Sequence, residues 1–234
     1  MPPDATPVPE IVCEGDTDRA IYEALVRGGL LPKLDAYPKK GVSRGGLGSQ
    51  VERIRAMVSF GRTRLIVARD LDDARDGSTL LRSLVRDLGA EASAISEQAP
   101  FLLQVRDCRI ALVPQGQPGA PLLHKYSVSR YAVDDYLLML LEQNVGVAGA
   151  LFKDEGERNR AFAKMDEVRR LMISQGYAVS TSKRLVFLLK AIVDFGVAPA
   201  TLAEQTIEVT PADVVQRVFQ PLVDAVKAAD QALA

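Results

Sequence analysis

The feature that most constrains the fold is a short apolar run that ends in acids. Residues 64–68 read RLIVA, and they are followed by Arg69 and the segment DLDD, residues 70–73. An unbroken apolar run of this length is typical of a strand in a parallel sheet, because helices cover both faces of such a sheet. The chain is therefore expected to adopt an α/β fold with carboxylates at the carboxyl end of a buried strand.

Alternating strand and helix patterns extend this expectation over the first 130 residues or so. Strands are predicted at residues 10–13, 34–37, 64–68, 101–105 and 109–113. Helices are predicted at residues 17–27, 50–60 and 78–88, and then at 134–144, 155–174, 182–195 and 211–233. We therefore predict a disordered Pro-rich segment at 1–8, an α/β domain at 9–132 with a mostly parallel sheet flanked by helices, and a helical C-terminal portion at 133–234 that packs on it.

Composition narrows the class of protein. The 234 residues, 47% of them hydrophobic, can build a substantial core, and the net charge of −1 argues neither for nor against a nucleic-acid partner. No apolar run reaches about 18 residues and the N-terminus lacks signal-peptide features, so no membrane partner is expected. Cys13 and Cys108 follow no metal-ligand spacing, which favours reduced, buried thiols in a cytoplasmic protein. The single His124 is a weak basis for a Ser-His-Asp mechanism.

Further acids lie at the end of the first predicted strand. Glu14 closes this strand, and Asp18 stands at the start of the helix that follows. In an extended chain positions i and i+2 point the same way, so Asp70 and Asp72 would present two carboxylates to one spot. Because ligands of open parallel sheets bind at the carboxyl ends of the strands, these four acids are expected to converge. Carboxylates gathered so closely repel one another, so some must take up a proton unless a cation lies among them. An all-oxygen set of ligands suits Mg²⁺ or Mn²⁺.

This pattern resembles the TOPRIM domain, in which a Glu-Gly pair closes the first strand and a D-x-D motif closes a later one. The second acid three residues after the glycine makes the chain most similar to the OLD (overcoming lysogenization defect) family of nucleases. The segment YAVDDYLL, residues 131–138, resembles the acidic E-D-x-L segment of these nucleases, with Asp134 where a Glu is usual. Residues 182–184, SKR, resemble the segment that carries their catalytic lysine.

The resemblance implies a TOPRIM (Rossmann-like) fold and a hydrolase that cleaves phosphodiester bonds with two Mg²⁺ or Mn²⁺ ions. It assigns Glu14, Asp18 and Asp134 to one ion and Asp70 and Asp72 to the other, with Asp73 as a reserve ligand. Lys183 would neutralise charge on the phosphate, so that Glu14, Asp70, Asp72 and Lys183 are the expected catalytic residues. The expected substrate is DNA rather than RNA, and an endonuclease is one form of the activity. OLD proteins carry an ATPase, but no P-loop motif occurs here, so an ATPase partner in trans is a further expectation.

A basic segment could hold the nucleic acid. Between residues 39 and 64 there are seven Lys or Arg residues and one acid, Glu52. Of these we single out Lys39, Lys40, Arg44 and Arg53 as candidates for binding the phosphate backbone. The alternative is a solvated helix face.

Simpler interpretations remain open for most of the acids. Asp16 or Thr17 is expected to cap the first helix, and Asp18 could merely complement its N-terminus. Asp70 and Asp72 could be ordinary loop acids, and Asp134 could mark the start of a helix. Lys183 could be an ordinary solvated lysine.

Three alternatives to the nuclease hypothesis follow. The chain could be a degenerate TOPRIM module that binds nucleic acid or assembles with a partner. It could instead be another acidic-pocket phosphoryl-transfer enzyme, although such folds place an Asp where Glu14 stands. A primase or topoisomerase fragment is the third, and no zinc-binding cysteines support it.

Overall fold

A computed structural model describes residues 8–39, 46–74, 76–146, 151–193 and 196–234. The strands in this part of the chain are β1 (Glu10–Val12), β2 (Asp35–Tyr37), β3 (Arg64–Asp70), β4 (Ala92–Ser96), β5 (Phe101–Val105) and β6 (Cys108–Gln115). The helices are α1 (Asp16–Arg27), α2 (Leu47–Ser59), α3 (Gly77–Leu88), α4 (Pro121–Lys125), α5 (Asp134–Gln143), α6 (Glu155–Ser174), α7 (Ser182–Ile192), α8 (Pro199–Val209) and α9 (Ala212–Leu233). Disorder is predicted for residues 1–8, and residues 1–7 of this segment lie outside the described residues.

The strands form one mixed sheet in the order β2-β1-β3-β6-β5-β4. Strand β1 pairs in parallel with β2 and with β3, where Val12 lies opposite Tyr37 and Val67. Strands β4, β5 and β6 pair antiparallel through short connections. The α/β class is confirmed, whereas the predicted mostly parallel sheet holds for β2, β1 and β3 and not for the β6-β5-β4 half. The reason is that the turn at residues 106–107 is too short for the crossover that parallel strands need.

The chain divides into two compact units that interleave along the sequence. The first unit contains residues 1–68, 77–113 and 223–234, and the second contains residues 69–76 and 114–222. The first therefore holds most of the sheet with α1, α2 and α3, and the second holds α4 to α8. The predicted domain limits at 9–132 and 133–234 remain a prediction.

The interior of the first unit is built on the apolar strands. Residues Ile11 and Val12 of β1 and Leu65 to Ala68 of β3 are all buried, as expected for a strand covered on both faces. The fully buried Gln50 of α2 lies at the carboxyl ends of these two strands, where its Nε2 donates hydrogen bonds to the carbonyls of Val12 (3.1 Å) and Ala68 (2.7 Å). This amide therefore ties α2 to both strand ends.

The starts of α1 and α2 correct two predictions. Helix α1 begins at Asp16 with Gly15 as its N-cap, so neither Asp16 nor Thr17 caps it. Helix α2 begins at Leu47 after Gly46, whose φ of 102° lies in the left-handed region open to glycine, and not at Gln50. In both cases the chain turns at a glycine, and no side-chain cap is made.

The start of α3 explains one further glycine. A Cβ built on Gly77 would lie 2.3 Å from Cε2 of Phe101, so only glycine allows this close approach. The aromatic ring of β5 thereby packs directly on the first turn of α3. Helix α3 then buries Leu80, Leu81 and Leu84 in the first unit.

The interior of the second unit combines aromatic rings with polar pairs. Tyr136 of α5 stacks on Phe219 of α9 with ring centroids 5.3 Å apart, and Phe152 lies 6.1 Å from Phe162 of α6. Asn144, after α5, donates a hydrogen bond to Thr210, which follows α8. Among the described residues, no helix combines the length and apolar character needed to cross a membrane.

Three elements were not predicted from the sequence. Strand β4 reads ASAIS and is largely exposed, so it lacks an apolar run. Helix α4 has five residues and follows a Gly- and Pro-rich segment, and α8 begins with Pro199. Short length and weak hydrophobic periodicity account for these omissions.

Candidate functional site

The predicted site residues fall into both units. Glu14, Asp18, Lys39 and Arg53 belong to the first unit. The others, Asp70, Asp72, Asp73, Asp134 and Lys183, belong to the second.

The carboxylate of Asp70 contacts the start of α5 in the second unit. This residue ends β3, and its Oδ1 accepts a hydrogen bond of 2.9 Å from the backbone N–H of Val133. Val133 is the N-cap residue of α5 and has no polar side chain of its own to cap the helix. Asp70 therefore lies at the N-terminus of α5, where the free N–H groups and the helix dipole favour a negative charge.

Asp134, the first residue of α5, is a buried carboxylate close to a cation. Its side chain is only 6% exposed, and this burial raises its pKa, while the charge of Lys183 opposes the rise. Lys183 is the second residue of α7 and is itself exposed. The structure thus places Asp134 close to Lys183, and Asp70 in contact with Val133, the residue before Asp134.

Asp72 does not follow the predicted extended geometry. Strand β3 ends at Asp70, and Asp72 has a φ of 47°, in the left-handed region that Asp tolerates better than most residues. Its backbone N–H donates to the carbonyl of Tyr131 at 2.8 Å, and the N–H of Tyr131 donates back at 3.3 Å. The predicted extended conformation from Asp70 to Asp72 is therefore wrong, and Asp72 is held by this isolated bridge instead.

Asp73, the predicted reserve ligand, is an exposed acid with a defined partner. Its two carboxylate oxygens contact the guanidinium of Arg130 at 2.9 and 2.8 Å. This pair joins residues 57 positions apart at the surface of the second unit. Both partners are more than half exposed, so the ion pair is largely screened by water.

Sequence reasoning missed the central role of Asp135. This side chain is fully buried, and its Oδ2 accepts backbone N–H bonds from Gln117 (2.9 Å) and Ala132 (3.2 Å). Its Oδ1 accepts a 2.5 Å bond from the hydroxyl of Ser182. Burial raises the pKa of Asp135 to about 6, although these donors oppose the rise. Asp135 thereby joins the first turn of α5 to the first turn of α7.

A signal for Asp135 exists in the sequence. The acidic pair at 134–135 is surrounded by apolar residues on both sides, AV before it and YLLMLL after it. Two adjacent acids in so apolar a context indicate that both could be buried, and a buried carboxylate must find hydrogen-bond donors. The identity of those donors, at positions 117, 132 and 182, could not be deduced from local pattern.

In the first unit, Glu14 and Asp18 lie around the turn from β1 to α1. Glu14 is half-buried, and its carbonyl accepts a bond of 3.3 Å from the N–H of Gly46 before α2. Asp18 is buried in the first turn of α1. The neighbouring Arg19 is buried too and pairs with Glu23 at 2.5 Å and with Asp16 at 3.6 Å. The turn is therefore rich in charge at the carboxyl end of β1.

The candidate nucleic-acid-binding cations have mixed positions. Lys39 is exposed, pairs with Asp35 at 3.3 Å and lies 4.4 Å above the ring of Tyr37. Arg53 donates from Nη1 to the carbonyl of Cys13 at 3.1 Å, and its partial burial lowers its pKa. Arg53 therefore has a structural contact at the end of β1. Lys40 and Arg44 lie outside the described residues.

The donors around the acidic site are all oxygen atoms, which suits Mg²⁺ or Mn²⁺ better than zinc. In the described segments, no three or more His, Cys, Asp or Glu side chains are gathered closely enough to hold a metal ion. Burial raises the pKa of Asp134 because it removes water from the carboxylate, and the charge of Lys183 is the largest influence that opposes the rise. A divalent cation is a group that would stabilise the ionised form of such a carboxylate.

Comparisons with known proteins support the fold alone. No protein-family model matches the chain, and no curated protein is similar to it in sequence. A crystal structure of a hypothetical protein from Pyrococcus horikoshii OT3 is similar, with a TM-score of 0.58 and 16% identity over 98% of this chain and 100% of that one. The two proteins thus share an α/β architecture over almost their full lengths.

Proposed function

We propose that the chain is a Mg²⁺- or Mn²⁺-dependent nuclease whose α/β fold is a TOPRIM domain of the OLD type. The observation that carries the proposal is the meeting of three chain segments in the second unit. Asp70 ends β3 and contacts the N-terminus of α5, and Asp134 begins α5 beside Lys183 of α7. Two carboxylates and a lysine from separate segments are the groups that metal-assisted phosphodiester cleavage needs.

Each side chain has a distinct role in this proposal. The carboxylates of Asp70 and Asp134 hold the cation, and the ammonium of Lys183 binds the scissile phosphate and offsets its developing charge. When bound, the metal supplies Lewis acidity and lowers the pKa of a bound water. Glu14, Asp18 and Asp72 stay proposed ligands, as the resemblance to TOPRIM proteins implies.

Asp135 acts as a positioning residue. Its hydrogen bond with Ser182 fixes the first residue of α7, and Lys183 is the next residue. Its bonds with the N–H groups of Gln117 and Ala132 fix the entry to α5, where Asp134 stands. A rigid support of this kind keeps the lysine and the carboxylate in register with each other.

The test uses supercoiled plasmid and Mn²⁺ with the purified full chain. We expect nicking by the wild type, and a loss of at least about 100-fold in rate for Asp70→Asn and for Lys183→Met. The matched control is Asp107→Asn, which removes an exposed carboxylate in the β5–β6 turn and should leave the rate unchanged. Equal rates for the wild type and Asp70→Asn would reject the proposed site.

One observation favours a second candidate, a module that binds nucleic acid without cleaving it. The described residues contain no group of three or more potential metal-binding side chains. This candidate predicts a plasmid mobility shift by the wild type, with no nicking at any Mg²⁺ or Mn²⁺ concentration. Metal-dependent nicking that is lost in Asp70→Asn would exclude it.

A further inference from the structure

The end of α6 and the start of α7 expose an unusual number of large hydrophobic side chains. Eight such side chains are exposed in the described part of the chain, and four of them lie between residues 171 and 187. Two of the four are aromatic: Tyr177 is 60% exposed and Phe187 is 47% exposed. A concentration of this kind marks a binding surface more often than a chance distribution.

The two aromatic rings line one groove of the second unit, of about 340 Å³. We call it the α6–α7 groove, and it is lined by Met172, Tyr177, Val179, Arg184, Phe187 and Leu188. Helix α6 ends at Ser174. Gly176, with a φ of 86°, then reverses the chain, and the next residue, Tyr177, lines the groove. Arg184 and Phe187 are three residues apart and therefore share one side of α7.

The chain segment that lines the α6–α7 groove contains basic residues and no acids. From residue 169 to residue 190 the sequence contains five Lys or Arg residues and no acid. Arg169 and Arg170 pair with Asp166, while Lys183 and Arg184 are exposed in the first turn of α7. At the other end, Nζ of Lys190 lies 5.8 Å from the ring centroid of Phe187. The groove therefore suits a ligand that combines flat apolar surfaces with negative charge.

The first turn of α7 carries residues that belong to both the groove and the acidic site. Ser182 binds Asp135, Lys183 neighbours Asp134, and Arg184 lines the groove. A strand with one phosphate at Lys183 could place another phosphate at Arg184. This closeness along α7 favours a polymeric substrate over an unrelated protein partner.

We propose that the α6–α7 groove binds single-stranded nucleic acid, with bases stacked on Tyr177 and Phe187 and phosphates held by Lys183 and Arg184. Exposed aromatic rings beside cations are the means by which proteins hold unpaired strands without reading their sequence. A duplex hides its base faces in the stack, so it cannot use the two rings. The inference rests on the proposed function, because it assigns a substrate class to the same site.

Fluorescence anisotropy in EDTA tests binding separately from cleavage. The probes are a fluorescein-labelled oligothymidine and a duplex of equal length, and the protein is the full chain. We expect the wild type to prefer the single strand, and Tyr177→Ala and Phe187→Ala each to weaken binding about 10-fold. Tyr177→Phe keeps the ring and should restore binding. The control Phe60→Ala removes a ring that is 85% exposed in the first unit and should change nothing.

The outcomes separate this inference from the proposed function. Asp70→Asn should lose cleavage and keep binding. If the wild type cleaves the plasmid and the Tyr177 and Phe187 variants bind the single strand as tightly as the wild type does, the nuclease proposal stands and the groove proposal is overturned. Binding that needs both rings, without cleavage under any metal, would retain the groove and overturn the nuclease.

Two other occupants of the groove would also overturn the inference. The first is a second copy of this chain, revealed by a wild-type dimer that the double variant Tyr177→Ala/Phe187→Ala converts to a monomer in sedimentation. The second is a membrane surface, revealed by ring-dependent binding to vesicles that contain phosphatidylserine, with no binding to the oligothymidine. Equal affinity for the single strand and the duplex would contradict base stacking.

Discussion

The two units of this protein differ most in what they bury. Twelve polar or charged side chains are buried in the described part of the chain, and only three belong to the first unit: Asp18, Arg19 and Gln50. The other nine belong to the second unit: Arg69, Gln115, Asp134, Asp135, Asn144, Arg169, Ser182, Thr206 and Thr210. The first unit is thus held mainly by apolar contact, and the second relies on hydrogen bonds inside its core.

This difference indicates where specific geometry is needed. Apolar packing tolerates many side chains of suitable volume, whereas a buried polar group is stable only with its partners in place. In the second unit the buried polar groups bind one another or the backbone: Asp135 binds Ser182, Asn144 binds Thr210, and Arg169 binds the carbonyl of Tyr126 at 3.1 Å. The first of these bonds joins the helix starts that carry Asp134 and Lys183.

The largest expected effect on stability is the loss of a large apolar side chain from the sheet of the first unit. Ile66 is 1% exposed in β3, and Ile66→Ala should lower the free energy of unfolding by about 2–5 kcal/mol because it leaves a cavity. Ile66→Val, the matched control, should cost about 0.5–1.5 kcal/mol. Urea denaturation measures both. Equal costs for the two variants would show that this core does not depend on close packing.

The next largest effect is expected from the buried carboxylate of the second unit. Asp135→Ala leaves Ser182 and two backbone N–H groups without their acceptor, and should cost about 2–4 kcal/mol on the basis of the penalty for unsatisfied buried groups. Asp135→Asn keeps the size and shape of the side chain. Its amide oxygen can accept both N–H groups, and the hydroxyl of Ser182 can reverse and accept from the amide nitrogen.

Asp135→Asn separates the contribution of the buried charge to stability from that of the hydrogen bonds. We expect its stability at pH 7 to equal or exceed that of the wild type, because it removes a buried charge but retains the hydrogen bonds. Thermal and urea unfolding at pH 7 measure both variants. A loss as large for Asp135→Asn as for Asp135→Ala would mean that the ionised carboxylate itself stabilises the fold.

The sequence predicted the buried strands of the first unit better than its exposed strand, for a physical reason. Burial of a strand is a local property, so the apolar runs at 64–68 and 101–105 were sufficient to locate β3 and β5. Strand β4 was missed because it lies at the edge of the sheet and is largely exposed. The antiparallel half of the sheet depends on pairing between strands, which periodicity does not report.

The acidic site was predicted only in part because its geometry depends on contacts distant in sequence. Resemblance to TOPRIM proteins indicated Asp70, Asp134 and Lys183, and the structure places these residues near one another in the second unit. The left-handed φ of Asp72 follows from its bridge to Tyr131, which is 59 positions away, and no local rule predicts it. The role of Asp135 depends on donors at three separate positions in the same way.

The smallest expected effect on stability is the loss of an exposed ion pair, and this effect should be equally small in the two units. Arg82 pairs with Glu97 in the first unit and Arg130 with Asp73 in the second, each at 2.8 Å between exposed side chains. We expect Glu97→Gln and Asp73→Asn each to lower the free energy of unfolding by about 0–1 kcal/mol, and less in high salt. Urea unfolding at low and high ionic strength measures both. If Asp73→Asn alone costs more, then the polar bonds that organise the second unit extend to its surface, and the contrast between the two units is not confined to their interiors.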